Sequence, residues 1–170
     1  INADTDQPDN VGTLTVANGA TVSTGGNALD ITANDLNLNA SGKLNSGAAT
    51  TTITDSDGTG IGLGGTVVAN GLNIADAELN LITSNALVLN TAGNITVDGI
   101  TDANSTNANA ITLNATGTGG GQGFITFATN ASVFNDTLTA KAAQGIAVNK
   151  NVTSTTGALT FDGDANNADD

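Results

Sequence analysis

The sequence offers few residues that could carry out catalysis. It contains no histidine and no cysteine, which removes the usual general bases and thiol nucleophiles. Two acidic pairs, Asp55 with Asp57 and Asp162 with Asp164, have the residue types of a glycosidase dyad. Aspartates two residues apart beside a glycine are, however, typical of surface turns, and no serine has an evident activating partner. The sequence therefore predicts no catalytic residue, no enzyme activity and no cofactor site.

Calcium binding is the other chemistry that the acidic residues allow. The stretch Asp55-Ser56-Asp57-Gly58-Thr59-Gly60 begins like an EF-hand loop, but its twelfth position is Thr66, where a bidentate glutamate is expected. Asp55 and Asp57 are therefore predicted only as ligands of a weakly bound Ca²⁺. The acidic residues near the end of the chain, Asp162, Asp164, Asp169 and Asp170, are expected to attract cations weakly as well.

The charge balance excludes one class of partner. The formal net charge is −13, with three cationic residues, all lysines, and no arginine. Nucleic-acid binding requires Lys and Arg contacts to phosphates, so it is not expected. No run of about 18 apolar residues occurs, so no transmembrane helix is predicted. An acidic composition rich in Thr, Asn and Gly is typical of bacterial secreted surface proteins, which predicts an extracellular location.

The clearest structural pattern is the stretch from Ala86 to Thr101, ALVLNTAGNITVDGIT. Its aliphatic residues alternate with polar ones, as in short strands with one buried face, and turns rich in Gly, Asn and Asp separate these strands. Three such strands would make one coil of a parallel β-solenoid. Asparagines at equivalent positions of successive coils are expected to form stacked amide ladders.

Similar aliphatic groups recur along the chain. Their first residues are 15 to 27 positions apart, a spacing typical of solenoid repeats: Leu14, Leu29, Ile53, Leu72, Leu87, Ile111, Leu138 and Leu159. The sequence predicts an all-β fold of roughly seven to eight irregular coils, with residues 1–170 forming one segment of a longer repeat protein and residues 1–10 irregular. Two segments, Asp102 to Asn109 and Thr116 to Gly123, contain no apolar residue larger than Ala. They are predicted as loops that protrude at the coil corners.

At these repeats the chain resembles a known family. The stretches LVLNTAGNITVDGI (87–100), LTAKAAQGIAVNKNV (138–152) and GLNIADAELNLIT (71–83) resemble the repeats of filamentous haemagglutinin-type adhesins, which are large bacterial exoproteins. The resemblance extends from about Val11 to Phe161 and implies a right-handed parallel β-helix. Its motifs consist of core and turn residues, so they specify the fold better than the function.

Three classes of function follow from this pattern. The favoured one is a structural and adhesive repeat of a bacterial cell-surface protein or filament, whose partners are neighbouring repeats or copies of itself stacked end to end. The alternative is a binding module that recognises a glycan or a cell-surface protein through the loops around Asn104 and Gly120. A polysaccharide-active β-helix enzyme is least favoured, since such lyases need Arg or Lys beside acidic residues and this chain has no Arg.

Overall fold

The regular secondary structure of the described chain consists almost entirely of short parallel strands. The computed structural model describes residues 1–6 and 9–167, so the predicted cation ligands Asp169 and Asp170 lie outside the described residues. Within that part, every pairing between named strands is parallel. The predicted all-β class is confirmed.

The described chain contains eighteen strands, one α-helix and one 3₁₀ helix. The α-helix, α1, spans Asp76–Leu79, and the 3₁₀ helix spans Asp102–Asn104. The strands, in chain order, are β1 (Thr13–Thr15), β2 (Thr21–Ser23), β3 (Leu29–Ala33), β4 (Asp35–Asn37), β5 (Lys43–Asn45), β6 (Thr50–Asp55), β7 (Ile61–Gly64), β8 (Leu72–Ile74), β9 (Ile82–Thr83), β10 (Ala86–Thr91), β11 (Ile95–Asp98), β12 (Ala110–Ala115), β13 (Phe124–Phe127), β14 (Ser132–Phe134), β15 (Thr137–Ala142), β16 (Gly145–Val148), β17 (Val152–Ser154) and β18 (Leu159–Asp162).

The strands alternate between sheets as the chain proceeds. The largest sheet has the order β3-β6-β10-β12-β15-β18, and the second has the order β8-β7-β11-β13-β16. Three smaller sheets are β2-β5-β9, β1-β4 and β14-β17. Within the largest sheet, paired residues are separated by as few as 21 positions, from Leu138 to Leu159, and by as many as 36, from Thr51 to Leu87. Consecutive strands thus lie in different sheets, except β7 and β8, which pair with each other.

The pairing register places like residues above one another in the core. In the largest sheet one inward row consists of Leu29, Thr51, Leu87, Ile111, Leu138 and Leu159, and the next of Ile31, Ile53, Leu89, Leu113, Ala140 and Phe161. All but the two residues of β18 are buried. Thr51 is accommodated among leucines because its hydroxyl pairs with the Ser46 Oγ at 2.9 Å, which satisfies the buried polar group.

The predicted coils are only partly matched by these rows. The largest sheet has six strands, fewer than the seven to eight coils expected. Leu14 pairs with Leu36 outside the largest sheet, and Leu72 lies in β8, where it pairs with Ile61. Both residues were predicted to begin a coil, and neither does. Ile53 is also displaced by two positions, since Thr51 is the residue that aligns with Leu29.

Asparagine side chains bond to one another in isolated pairs, and one of these pairs lies within paired strands rather than at a corner. The Asn114 Nδ2 donates to the Asn90 Oδ1 at 2.7 Å, between two adjacent strands of the largest sheet. The Asn107 Nδ2 likewise donates to the Asn80 Oδ1 at 3.0 Å. The first bond joins paired residues of β10 and β12, so it adds a side-chain contact to the backbone pairing.

Candidate cation-binding corner

The loop from Asp55 to Gly60 closes on the side chain of its first residue. Asp55 ends β6 and is 4% exposed. Its Oδ2 accepts hydrogen bonds from the backbone N of Gly60 at 2.8 Å and from the Oγ1 of Thr91 at 2.6 Å. Gly60 has φ +123°, and an added Cβ would lie 2.7 Å from the carbonyl oxygen of Asn94. The tight loop therefore requires glycine at this position.

The environment of Asp55 favours the neutral carboxyl. Burial raises its pKa above the ordinary value, the hydrogen bonds from Thr91 and Gly60 lower it, and the nearby charge of Asp57 raises it. Among the described residues, the Asp55 Oδ1 is buried and has no hydrogen-bond partner. Asp55 was predicted to belong to a solvated turn, and that prediction is wrong because its side chain points into the protein.

The N-terminal segment lies against this loop. The Ser56 Oγ donates to the Asp4 Oδ2 at 2.5 Å, and the backbone N of Asn10 donates to the Asp57 Oδ2 at 2.6 Å. Residues about fifty positions apart are thus joined by two hydrogen bonds to carboxylates, which are stronger than bonds between neutral groups. Asp57, predicted as a calcium ligand, is used here to hold Asn10.

These contacts place a second acidic group at the corner. One carboxylate oxygen from each of Asp4, Asp6 and Asp9 lies within 4.8 Å of the others, the one such group of three among the described residues. Asp6 and Asp9 are exposed, whereas Asp4 is 3% exposed. The structure does not bring Asp55 and Asp57 together with a third acidic side chain in this way. The close spacing of the aspartates at positions 4, 6 and 9 was the one sequence feature that could have indicated this group. Nothing in the sequence indicated that Asp4 would be buried.

Asp4 is held at this corner by tight packing. Gly12 has φ +101°, and an added Cβ there would lie 2.4 Å from the Asp4 Cβ. The carbonyl oxygen of Gly12 in turn accepts a hydrogen bond from the backbone N of Asn34 at 2.9 Å. Ala3 donates to the carbonyl oxygen of Thr32 at 2.9 Å. The first twelve residues, without a named strand in their described part, are therefore bound to β3 and to the Asp55–Gly60 loop.

The acidic pair Asp162 and Asp164 has the surface role expected of it. Both side chains are exposed, and the backbone N of Asp164 donates to the Asp162 Oδ1 at 3.3 Å. This is the local bond of an Asx turn. The interpretation of this pair as turn residues is confirmed.

The loop around Asn104 is less free than expected. Asp76 accepts three hydrogen bonds, from the backbone N and the Oγ1 of Thr101, both at 2.9 Å, and from the Asn104 Nδ2 at 2.7 Å. Ser105 and Ala108 are 1% and 2% exposed. The prediction that Asp102 to Asn109 protrudes is matched only in part, because Ser105 and Ala108 are buried and Asn104 bonds to Asp76, whereas Ala103, Thr106, Asn107 and Asn109 are exposed.

The loop around Gly120 is exposed, as predicted. The Cβ positions of Gly119, Gly120 and Gly121 have no atom within 4 Å. The base of the loop is fixed by Gly117, where an added Cβ would lie 1.9 Å from the carbonyl oxygen of Ala92. The Cβ positions at the tip are thus open, while the carbonyl oxygen of Gly121 accepts a hydrogen bond from the Asn94 Nδ2 at 2.9 Å.

The chain matches no protein-family model, and no curated protein or solved structure is significantly similar to it. Across residues 1–6 and 9–167, no helix has both the length and the apolar character that crossing a membrane would require.

Proposed function

We propose that this chain is a segment of a right-handed parallel β-helix that serves as a rigid, non-catalytic shaft in a large bacterial cell-surface adhesin or filament. The observation that carries the proposal is the in-register stacking of inward residues across the six strands of the largest sheet. Six strands spaced about 4.8 Å apart span about 24 Å. In such a shaft each repeat would contact mainly its neighbours, and the fold would extend along one axis.

The last strands support stacking against further repeats. Leu159 and Phe161 of β18 are each 41% exposed, and Val148 of β16 is 51% exposed, although their equivalents in earlier strands are buried. β18 and β16 are also edge strands, whose unpaired backbone groups are ready to pair with another strand. A neighbouring repeat of the same chain, or a second copy, would cover both the apolar side chains and the edge.

The shaft is tested by comparing the 170-residue chain with a tandem duplicate in small-angle X-ray scattering. We expect the maximum dimension to grow by about the length of one unit while the cross-section stays constant. A duplicate that becomes thicker rather than longer would contradict the proposal. Immunogold labelling of intact producing cells tests the surface location, and label confined to the cell interior would exclude it.

A second candidate function is recognition of a glycan or a cell-surface protein by the Gly120 loop. The open tip at Gly119 to Gly121 favours this candidate, because exposed loops on a rigid framework commonly carry recognition. The test is a glycan array and a cell-binding assay with Gly119→Glu, which places a charged side chain at the tip. The matched control is Ala17→Glu, an exposed site in another part of the chain. Equal binding by the two variants would rule out recognition by this loop.

A further inference from the structure

We propose that Asp4, Asp6 and Asp9 bind one Ca²⁺ ion and that this ion fastens the N-terminal segment to the Asp55–Gly60 loop. The site differs from the one that the sequence predicted at Asp55 and Asp57. It also stands independently of the shaft proposed above.

The first argument is the convergence of the three carboxylates. One oxygen from each lies within 4.8 Å of the other two, close enough to share an ion whose oxygen ligands lie at 2.3–2.6 Å. Three like charges at this separation repel one another. The chain has three lysines and no arginine with which to offset sixteen acidic residues. A bound divalent cation would turn this repulsion into attraction.

The second argument is the unsatisfied oxygen of Asp4. Its Oδ2 accepts a hydrogen bond from Ser56, whereas its Oδ1 is buried and has no partner among the described residues. The side chain is 3% exposed, so bulk water does not solvate this oxygen. A buried carboxylate oxygen without a partner carries a full desolvation penalty. An ion shared with Asp6 and Asp9 would supply the missing interaction.

The Oδ1 of Asn34 is a second buried oxygen without a partner in the same part of the described structure. Asn34 is 5% exposed, and its backbone N is bonded to Gly12, which packs against Asp4. Calcium accepts amide oxygens as well as carboxylates in its coordination shell of six to eight oxygens. Two unsatisfied oxygens thus occur on residues that both contact Gly12.

Calcium fits this group better than magnesium. Mg²⁺ demands near-ideal octahedral geometry at 2.0–2.1 Å and retains several waters. The loose grouping of one buried and two exposed carboxylates suits the variable geometry of Ca²⁺. We expect a dissociation constant on the order of 10⁻⁴–10⁻³ M, the range of extracellular calcium modules.

The ion would act on the whole N-terminal segment. Asp4 is bonded to Ser56, and Asn10, beside Asp9, is bonded to Asp57. An ion held by Asp4, Asp6 and Asp9 would therefore cross-link the segment between its two attachments to the Asp55–Gly60 loop, which are at Asp4 and at Asn10. Binding should rigidify residues 1–6 and 9–12 and leave the distant strands β15 to β18 unchanged.

Calorimetric titration of the full chain with CaCl₂ tests the binding. Aromatic-sensitised lanthanide emission is unsuitable because the sequence has no Trp and no Tyr. At about 0.15 M ionic strength we expect saturable binding of one ion, weakened at least about tenfold in Asp6→Asn and in Asp9→Asn. Both side chains are exposed, and the amide oxygen at position 9 can still accept the bond that Val11 donates to the Asp9 Oδ1.

The matched control is the double variant Asp162→Asn/Asp164→Asn, which removes two exposed charges from another part of the chain. We expect it to bind Ca²⁺ like the wild type. No saturable binding at millimolar Ca²⁺, equal affinity in Asp6→Asn and the wild type, or an equal loss in the control would each overturn the proposal. Tighter binding of Mg²⁺ than of Ca²⁺ would overturn the choice of metal.

Hydrogen exchange tests the fastening separately. The amides of Ala3 and Asn10 are bonded to Thr32 and Asp57 respectively, so both report on the attachment of the segment. We expect Ca²⁺ to slow their exchange at least about tenfold relative to EDTA, and Asp6→Asn to abolish the difference. Unchanged exchange at these two amides would show that a bound ion does not fasten the segment.

Discussion

The hydroxyl of Thr91 donates a 2.6 Å hydrogen bond to the Oδ2 of Asp55, across 36 positions of sequence. The same Oγ1 accepts a 2.8 Å hydrogen bond from the backbone N of Gly93. Asp55 and Thr91 are 4% and 3% exposed, and they end adjacent strands of the largest sheet. One hydroxyl therefore joins the loop that follows β6 to the loop that follows β10.

Replacement of Thr91 by Val removes this hydroxyl with little change in shape. It would leave the amide of Gly93 without its acceptor and take one donor from Asp55. We expect a loss of about 1–3 kcal/mol in the free energy of unfolding, measured by urea denaturation followed by far-ultraviolet circular dichroism. Thr112→Val, on the outward side of β12, is the control and should change stability by less than about 0.5 kcal/mol. Equal effects would show that the Thr91 bonds contribute nothing specific.

Replacement of Asp55 by Asn tests the electrostatics of the loop. Because burial raises the pKa of Asp55 in the folded state, the folded protein binds this proton more tightly than the unfolded chain does. The contribution of Asp55 to stability therefore falls as the pH rises from the ordinary pKa of an aspartate, 3.8, through the raised pKa of the folded state. The amide cannot ionise, so the unfolding free energy of Asp55→Asn relative to the wild type should increase from pH 4 to pH 7.

Urea unfolding at a series of pH values measures this difference. The matched control is Asp162→Asn, which makes the same substitution at an exposed carboxylate in an Asx turn. A difference for Asp55→Asn that decreases towards neutral pH would show that the carboxylate is stabilised in the folded state, contrary to this prediction.

Replacement of Leu113 by Ala tests the stacked core. Leu113 is fully buried between Leu89 and Ala140. The smaller alanine would leave a cavity, and the neighbouring side chains in these close-packed rows cannot move far enough to fill it. We expect a loss of about 2–5 kcal/mol in the unfolding free energy from urea denaturation. Val88→Ala, which shortens a partly exposed side chain on the outward face of β10, should cost less than about 1 kcal/mol. A similar cost for both would contradict the assignment of the inward rows.

Replacement of Gly93 by Ala tests the close approach of two loops. An added Cβ would lie 2.6 Å from the backbone N of Gly60 and 2.7 Å from the carbonyl oxygen of Gly58, so backbone must move. We expect a loss of about 1–3 kcal/mol and a lower melting temperature. Gly119→Ala meets no atom within 4 Å and should be neutral or stabilise by up to about 1 kcal/mol through the unfolded state. Equal melting temperatures for the two variants would argue against this contact.

The pairing of strands could be predicted only in part from the sequence. The alternation in Ala86–Thr101 correctly indicated the strands β10 and β11. The same alternation around Leu72 was assigned to a new coil, although β8 pairs beside β7 of the same repeat. Alternation reports which side chains share a face, and it carries no information about which strand lies alongside.

The role of polar residues depended still more on tertiary structure. Asp55 and Asp162 both precede a second aspartate by two positions, yet one is buried and the other exposed. The difference arises because Asp55 accepts a hydrogen bond from Thr91 on the adjacent strand β10. Asp162 ends β18, which is the edge strand of the same sheet.

By itself the sequence determined the all-β class, the aliphatic core and the absence of histidine and cysteine chemistry, because alternation and composition are local properties. Only the tertiary structure decided that Ser56 bonds to Asp4 and that Asn10 bonds to Asp57. Those contacts join residues about fifty positions apart, and their partners are set by strand register, which local spacing does not encode.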